Sequence, residues 1–208
     1  MAGKSPRSKA PRAPQKFTYA DYLTWPDDER WEIIDGDALA MTPSPALDQQ
    51  RLLGRLFNRI FSFLEGKTCE AFMAPFDVRL GVPDANEEHI DSVVQPDIMV
   101  ICDPEKIDRR GIKGAPDFIV EIVSPSTASN DYVRKLRLYE RHGVKEYWIL
   151  HPGDKNVLVF LLGKDGAYQD PITYKEEDLI KAHTLKGLTI DLKTIFAKEG
   201  SRTLKGPT

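Results

Sequence analysis

The chain predicts a mixed α/β domain of the α+β kind, in which a central mixed β-sheet is flanked by helices and preceded by a short helix and a hairpin. Three observations carry that expectation. From Ala46 to Glu65, the residues Leu52, Leu53, Leu56, Phe57, Ile60, Phe61 and Leu64 recur at spacings of three and four, the period of a helix with one wide apolar face. Apolar, β-rich runs occupy Thr68 to Leu80, His89 to Cys102 and Phe118 to Val123. A second helical stretch, from about Asn130 to His142, leads directly into the strand-like run Lys145 to Leu150. Helices alternating with strands in this way cover a sheet on its faces.

The remaining elements follow from local chemistry. Thr18-Tyr19-Ala20-Asp21 has the pattern of a capping box that opens a helix running to Trp25, and Pro26 ends it. Trp31 to Ile34 and Ala38 to Met41 flank Asp35-Gly36, a pair favoured in tight hairpin turns. Gly66 closes the long helix, and Gly81 to Asn86 separates the next two strands. After a polar stretch, Asp103 to Pro116, comes the Phe118 strand, and the hydroxyls of Ser124, Ser126 and Thr127 suit a helix start. Gly143 fits the left-handed residue that ends that helix. Asn156 to Leu162 reads as another strand, Pro171 to Thr189 as irregular or short strand, and Asp191 to Phe196 as a last helical turn or two.

With 208 residues and 23.5 kDa, the chain fits one domain with tails. Residues 1–16 hold Lys4, Arg7, Lys9, Arg12 and Lys16 with no acid, beside Pro6, Pro11 and Pro14, which predicts a disordered basic arm. The chain is expected to fray beyond Lys198, leaving 17–197 as the domain and 198–208 as a tail. Without the five charges of the arm, the net charge of −3 becomes about −8, which argues against a broad basic nucleic-acid surface. Cys69 and Cys102 form no CxxC pair and read as buried free thiols of a protein in the reducing cytoplasm. No apolar run is long enough to span a bilayer, so no membrane association is expected. His89, His142, His151 and His183 lack metal-ligand spacing, and no GxGxxG or GxxxxGK[ST] loop offers a nucleotide cofactor site. Trp25, Trp31 and Trp148 read as packing residues ahead of base-stacking platforms.

The chemistry centres on two acids placed where acids are costly. Glu121 interrupts the apolar run Phe118 to Val123, and Asp97 interrupts Val93 to Ile101. If these strands pair, the two carboxylates share a confined place suited to a hard divalent cation, magnesium or manganese, with waters and a phosphate completing its shell. The competing reading pairs each acid with an arginine or a loop end. Lys135 shares a helix face with Asp131, Leu138 and His142, so its ammonium either points toward Glu121 or forms an exposed pair with Asp131. Glu32 in the hairpin is a further acid, read on its own as solvated.

Several motifs then appear in a recognisable order: Trp31-Glu32-Ile33-Ile34-Asp35-Gly36, Val94-Gln95-Pro96-Asp97, Gly114-Ala115-Pro116-Asp117 leading to Glu121-Ile122-Val123-Ser124-Pro125-Ser126-Thr127, then Asp131, Lys135, Tyr139 and Gly143-Val144-Lys145-Glu146-Tyr147-Trp148. This series, across residues 17 to 197, resembles the Uma family of restriction-endonuclease-like proteins, a domain family of unknown function in the PD-(D/E)XK nuclease superfamily. The resemblance implies a restriction-endonuclease-like core and metal-dependent cleavage of DNA. It assigns the metal, Mg2+ or Mn2+, to Asp97 and Glu121, and catalytic roles to Lys135 and Glu32 as well. Val123 stands where the superfamily pattern has its lysine, and the resemblance moves that role to Lys135. Gln95, two residues before Asp97, is implied as a supporting residue on the same strand face. Gln49 and His151 depart from the family, which commonly has histidine and aspartate there.

The reading is therefore a magnesium-dependent endodeoxyribonuclease acting on DNA, with a homodimer as one way to cut two strands. Two alternatives stand beside it: a nuclease-derived binding or assembly module that no longer cuts, and glycoside hydrolysis by the two acids.

Overall fold

The computed structural model describes residues 15–26, 28–41, 46–81, 86–123 and 130–197. Most of the arm (1–14), the hydroxyl-rich helix start at Ser124 to Thr127, and the tail from Lys198 lie outside the described residues. Lys16, expected in the disordered arm, is placed: its ammonium donates to Asp35 O (2.8 Å) and Asp37 Oδ1 (2.9 Å), anchoring the chain to the hairpin turn.

The capping box forms, with the Thr18 N–H donating to Asp21 Oδ2 at 2.8 Å, and opens α1 (Tyr19–Tyr22). Hydrogen-bonded turns, not helix, carry the chain on to Trp25. Strands β1 (Trp31–Ile34) and β2 (Asp37–Ala40) make the hairpin, whose turn uses positive φ at Asp35 (52°) and Gly36 (77°). The long helix α2 (Leu47–Leu64) buries Leu52, Leu53, Leu56, Ile60 and Leu64, whereas Phe61 is 49% exposed and stacks on Phe57.

The two long strands expected next are each broken in two. The first becomes β3 (Glu70–Met73) and β4 (Val78–Leu80), the second β5 (Ser92–Val94) and β6 (Ile98–Ile101). Pro75 and Pro96 stand at the breaks, where a residue without an N–H cannot continue a ladder. The polar stretch after Asp103 also folds into two short strands, β7 (Ile107–Asp108) and β8 (Gly111–Lys113). Then follow β9 (Phe118–Ile122), α3 (Asn130–His142), β10 (Glu146–His151) and β11 (Asn156–Leu161). The C-terminal part supplies β12 (Ile172–Lys175), β13 (Leu179–Lys181), β14 (Thr189–Asp191) and α4 (Leu192–Phe196), capped by Asp191.

Each break carries the chain from one sheet to another, so the fold has two six-stranded mixed sheets where the sequence suggested one. The central sheet runs β12-β11-β10-β9-β6-β3, with β9 and β10 parallel and joined through α3. The second runs β2-β1-β5-β4-β8-β7, and β13 with β14 forms a separate ribbon. One face of the central sheet (Ile98, Val100, Phe118, Val120, Trp148) packs on α2, α4 and the ribbon. The other face (Met99, Ile119, Tyr147, Ile149) packs on α3 and the inner side of the second sheet. Among the described residues, no helix is long and apolar enough to cross a membrane.

Cys69 and Cys102 are joined in a disulfide, not free as the sequence suggested. They flank the last paired residues of β3 and β6, Glu70 and Ile101, and so face each other across the ladder despite a sequence separation of 33.

Two glycines give opposite expectations. A Cβ at Gly111, which has φ +122°, would lie 2.2 Å from Asp77 O, the acceptor of the Ile112 amide. Gly111→Ala is expected to lower the unfolding free energy by about 2–3 kcal/mol in urea denaturation. Gly54 is exposed within α2 and a Cβ there meets nothing within 4 Å, so Gly54→Ala should stabilise by about 0.5–1 kcal/mol in the same measurement.

Candidate active site

Strand alternation decides which way the acids point. On β9, Phe118 and Val120 face α2, so Ile119 and Glu121 face α3 and the second sheet. On β6, Ile98 and Val100 face α2 while Met99 faces the other way, which puts Asp97 on the same side as Glu121. The two strands pair antiparallel with Ile98 opposite Val120, so Asp97 and Glu121 are the next residues along that ladder. Glu32 comes from the second sheet, on the inner side of β1 with Ile34. Lys135 precedes the buried residues Leu138 and Tyr139 by three and four positions on α3 and points with them.

These side chains meet. The Lys135 ammonium donates to Glu32 Oε1 at 2.9 Å and to Glu121 Oε1 at 3.0 Å. The Tyr139 hydroxyl donates to the same Glu121 oxygen at 2.9 Å, and the Gln95 amide to Glu32 Oε1 at 2.8 Å. Asp97 Oδ2 accepts the Ile122 amide at 2.7 Å. Glu32, Gln95, Asp97, Glu121 and Lys135 all line one cavity of about 160 Å³, with Tyr132 and Tyr147 on its wall. The Asp131 side chain of the pair considered from the spacing lies outside the described residues; Lys135 itself is not exposed, at 9%, and is committed to Glu32 and Glu121.

Gln95 does not share a strand with Asp97, since Pro96 ends β5 and the two residues lie on either side of the break. Its side chain is held by Arg30 Nη2 (2.6 Å to Oε1), Asp77 Oδ1 (2.9 Å from Nε2) and the Tyr22 hydroxyl (3.3 Å). Tyr139, Arg30 and Asp77 are residues the sequence reading gave no role. The helix period would have found Tyr139, one turn beyond Lys135. Nothing in the spacing of Arg30 and Asp77 points to Gln95.

Burial sets the electrostatics. It pushes Glu121 up to about 7, with Lys135 opposing and Asp97 and Glu32 reinforcing the shift. Burial likewise raises Asp97 against the pull of the Ile122 amide. For Lys135 burial works against the charge, but Glu121 and Glu32 outweigh it and its pKa is raised. The cluster thus sets three carboxylates against one ammonium, an excess of negative charge in a confined space. Among the described residues, no three His, Cys, Asp or Glu side chains are grouped to hold a metal ion. An ion here would take Asp97 and Glu121 and complete its shell from water and a substrate, a donor set that suits magnesium or manganese.

Other buried acids lack this character. Glu146 is wholly buried, yet its carboxylate receives the amides of His183 (2.9 Å) and Thr184 (2.6 Å) and the Trp148 indole N–H (2.8 Å). It is a structural acid. A larger cavity, about 620 Å³, opens near the end of α3 beside Arg79, Lys113, Arg141 and Lys145, but the acid pair lies in the smaller one.

Comparison with known proteins identifies the family and the fold. The Uma2 family model, described as "Putative restriction endonuclease", matches residues 19–193. An uncharacterized protein of Synechocystis, slr1290, is 24% identical over 191 residues, covering 90% of this chain and 95% of its own. The crystal structure of a "putative nuclease belonging to DUF820" from Anabaena variabilis superposes with a TM-score of 0.69 at 19% identity, covering 86% of this chain and 97% of that one. At that identity the likeness is one of fold.

The raised pKa of Glu121 fixes the sign of a pH effect. Because its folded value of about 7 lies above the ordinary 4.5, its contribution to stability is fully present below about pH 4.5 and is lost as the pH rises through 7. Asp97, shifted in the same direction, adds to the slope. Glu121→Gln is expected to flatten the fall in unfolding temperature between about pH 5 and pH 8, measured by scanning calorimetry. Parallel curves for the two proteins would show that Glu121 titrates like an exposed acid.

Proposed function

The chain belongs to the Uma2 family, and we propose that it is a divalent-metal-dependent endonuclease that hydrolyses DNA phosphodiester bonds. The observation that carries this reading is the Lys135 ammonium, set between Glu32 and Glu121 in the cavity that Asp97 also lines. Family membership and the nuclease-like fold support it.

On this reading, Asp97 and Glu121 hold magnesium or manganese. The bound ion supplies positive charge that polarises the phosphodiester and acidifies water. The chain's own groups prepare the site for it. The Ile122 amide fixes one oxygen of Asp97, and Lys135 with Tyr139 fixes one oxygen of Glu121, so each carboxylate is oriented before anything binds. Glu32 holds Lys135 from the opposite sheet, directing its remaining N–H toward the cavity, where it meets charge developing on the phosphate. Glu121 must be ionised to ligate, so binding displaces the proton that burial retains.

Two measurements test this. In nicking of supercoiled plasmid with Mg2+ or Mn2+, Asp97→Asn and Glu121→Gln are expected to lose at least about 100-fold in rate, and Lys135→Ala about 10²–10³-fold, with chelator abolishing wild-type cleavage. Variants that cut at the wild-type rate would refute the assignment. In calorimetric titration with Mn2+, affinity is expected to rise by up to about tenfold per pH unit below 7 and to level off above it, with proton release into the buffer.

A further inference from the structure

The tryptophans divide into two kinds. Trp148 is fully buried against Phe118, but Trp25 and Trp31 are only partly buried and line an open cavity of about 290 Å³ together with Tyr22, Glu29, Arg30 and Gln95, with Pro26 and Pro75 completing its wall. Their arrangement is fixed from behind. Trp25 packs edge-on to Phe17 (5.3 Å between centroids) and to Trp31 (5.7 Å), and leans on Tyr22 at 5.6 Å. The Trp31 indole N–H donates to Glu29 Oε2 at 3.0 Å, which pins the edge of that ring and leaves its orientation set.

This cavity adjoins the acid cluster. Gln95 lines both, and Arg30, which donates to Gln95 Oε1 at 2.6 Å, lines the aromatic one. Trp31 and Glu32 are consecutive on β1 and therefore face opposite sides of the second sheet, so the aromatic cavity lies on the outer side of that sheet and reaches the acid cluster through Gln95 at its end. Gln95 and Asp97 are two residues apart, at most about 7 Å along the chain. A preorganised aromatic surface with an arginine at its side, sharing Gln95 with the cavity of the proposed phosphate-cleaving centre, is suited to an unpaired base: every base has a face to stack, and the guanidinium can meet the neighbouring phosphate. A fully paired duplex cannot present a base there without unstacking it.

We infer that Trp25, Trp31 and Arg30 form a stacking subsite for an unpaired DNA base adjoining the scissile phosphate, so that the favoured substrate carries single-stranded or locally unpaired DNA. The inference deepens the nuclease reading and rests on it for what happens next door, but its test reads binding and not cleavage.

The experiment uses the full chain in EDTA, so that no cutting occurs, with a labelled twelve-nucleotide oligothymidylate and a blunt duplex of equal length. The single strand is expected to bind more tightly and to quench indole fluorescence; because Trp148 is buried, the quenching reports on Trp25 and Trp31. Trp31→Ala should weaken single-strand binding about tenfold, the effect of one stacked base, and leave duplex binding unchanged. Trp31→Phe should retain most of the affinity, and Arg30→Gln should reduce the slope of log affinity against log salt by about one. If Trp31→Ala fails to fold, the quenching, Trp31→Phe and Arg30→Gln still decide. Equal binding of single strand and duplex, absence of quenching, or equal weakening of both DNAs by Trp31→Ala overturns the inference. Stacking without any cleavage in magnesium or manganese would instead overturn the nuclease reading and leave the subsite standing. Cleavage of the single-stranded oligonucleotide in magnesium or manganese with no response to Trp31→Ala would do the reverse.

Discussion

The buried ammonium of Lys135 is the interaction on which the rest of the architecture turns. It joins a helix to both sheets at once, meeting Glu32 from the second sheet and Glu121 from the central one. Taking charges out of water costs several kcal/mol each, and the cost is recovered only where partners are close and well oriented. Here the recovery is incomplete by construction. One cation faces three carboxylates lining its cavity, and burial, reinforced by the neighbouring carboxylates, raises the pKa values of Glu121 and Asp97. A protein selected for stability alone would do better with apolar residues of similar size at these positions. This incompletely neutralised cluster at the junction of packed elements is the feature on which the proposed cation binding rests.

The two prolines make that junction possible. An uninterrupted strand from His89 to Cys102 would keep Gln95 and Asp97 in one ladder and leave the acids with a single sheet as their wall. By ending β5 at Val94 and restarting at Ile98, the chain steps between sheets, and Asp97 falls at the step. Its Oδ2 can then accept the Ile122 amide, beyond the last β6–β9 pairs. The same step sends Gln95 outward to Asp77, Tyr22 and Arg30, which ties α1 and the outer side of the second sheet to the rim of the acid cavity.

Local chemistry was legible in the sequence wherever it acts within a few residues. The capping box at Thr18, the Asp35-Gly36 turn, the apolar stripe of α2 and the left-handed Gly143 (φ 81°) all appear where their patterns place them. The acid in an apolar run was legible too, but not what it means. Glu121 and Glu146 are both acids buried within strands. One lies against an ammonium beside a cavity and the other is closed off by two amides and an indole brought from Thr184, His183 and Trp148. The amides that close off Glu146 come from residues nearly forty positions away, so no window of sequence contains the difference. The disulfide escaped for the same reason, because strand register and not spacing brings Cys69 beside Cys102. The second sheet escaped because its strands are only two to four residues long, too short for a period to declare itself.

Lys135 reaches the acid cluster from a helix and not from the strand that carries Glu121. In the superfamily pattern the chain resembles, the lysine stands on the strand two residues after the acid. Here that position is Val123, which is partly buried and packs against the apolar cluster between the central sheet, α3 and the second sheet. A lysine there would share the strand face of Glu121 and would have to bend back along it to reach the carboxylate. From α3, Lys135 approaches across the cavity, reaching Glu121 at 3.0 Å and Glu32 at 2.9 Å at the same time, and Tyr139 one turn later supports the same oxygen. A strand lysine has no such route to Glu32. A cation on the helix therefore contacts Glu121 and also ties the two sheets together, which explains why Glu32, a residue of a short peripheral hairpin, is 4% exposed within the polar centre of the protein.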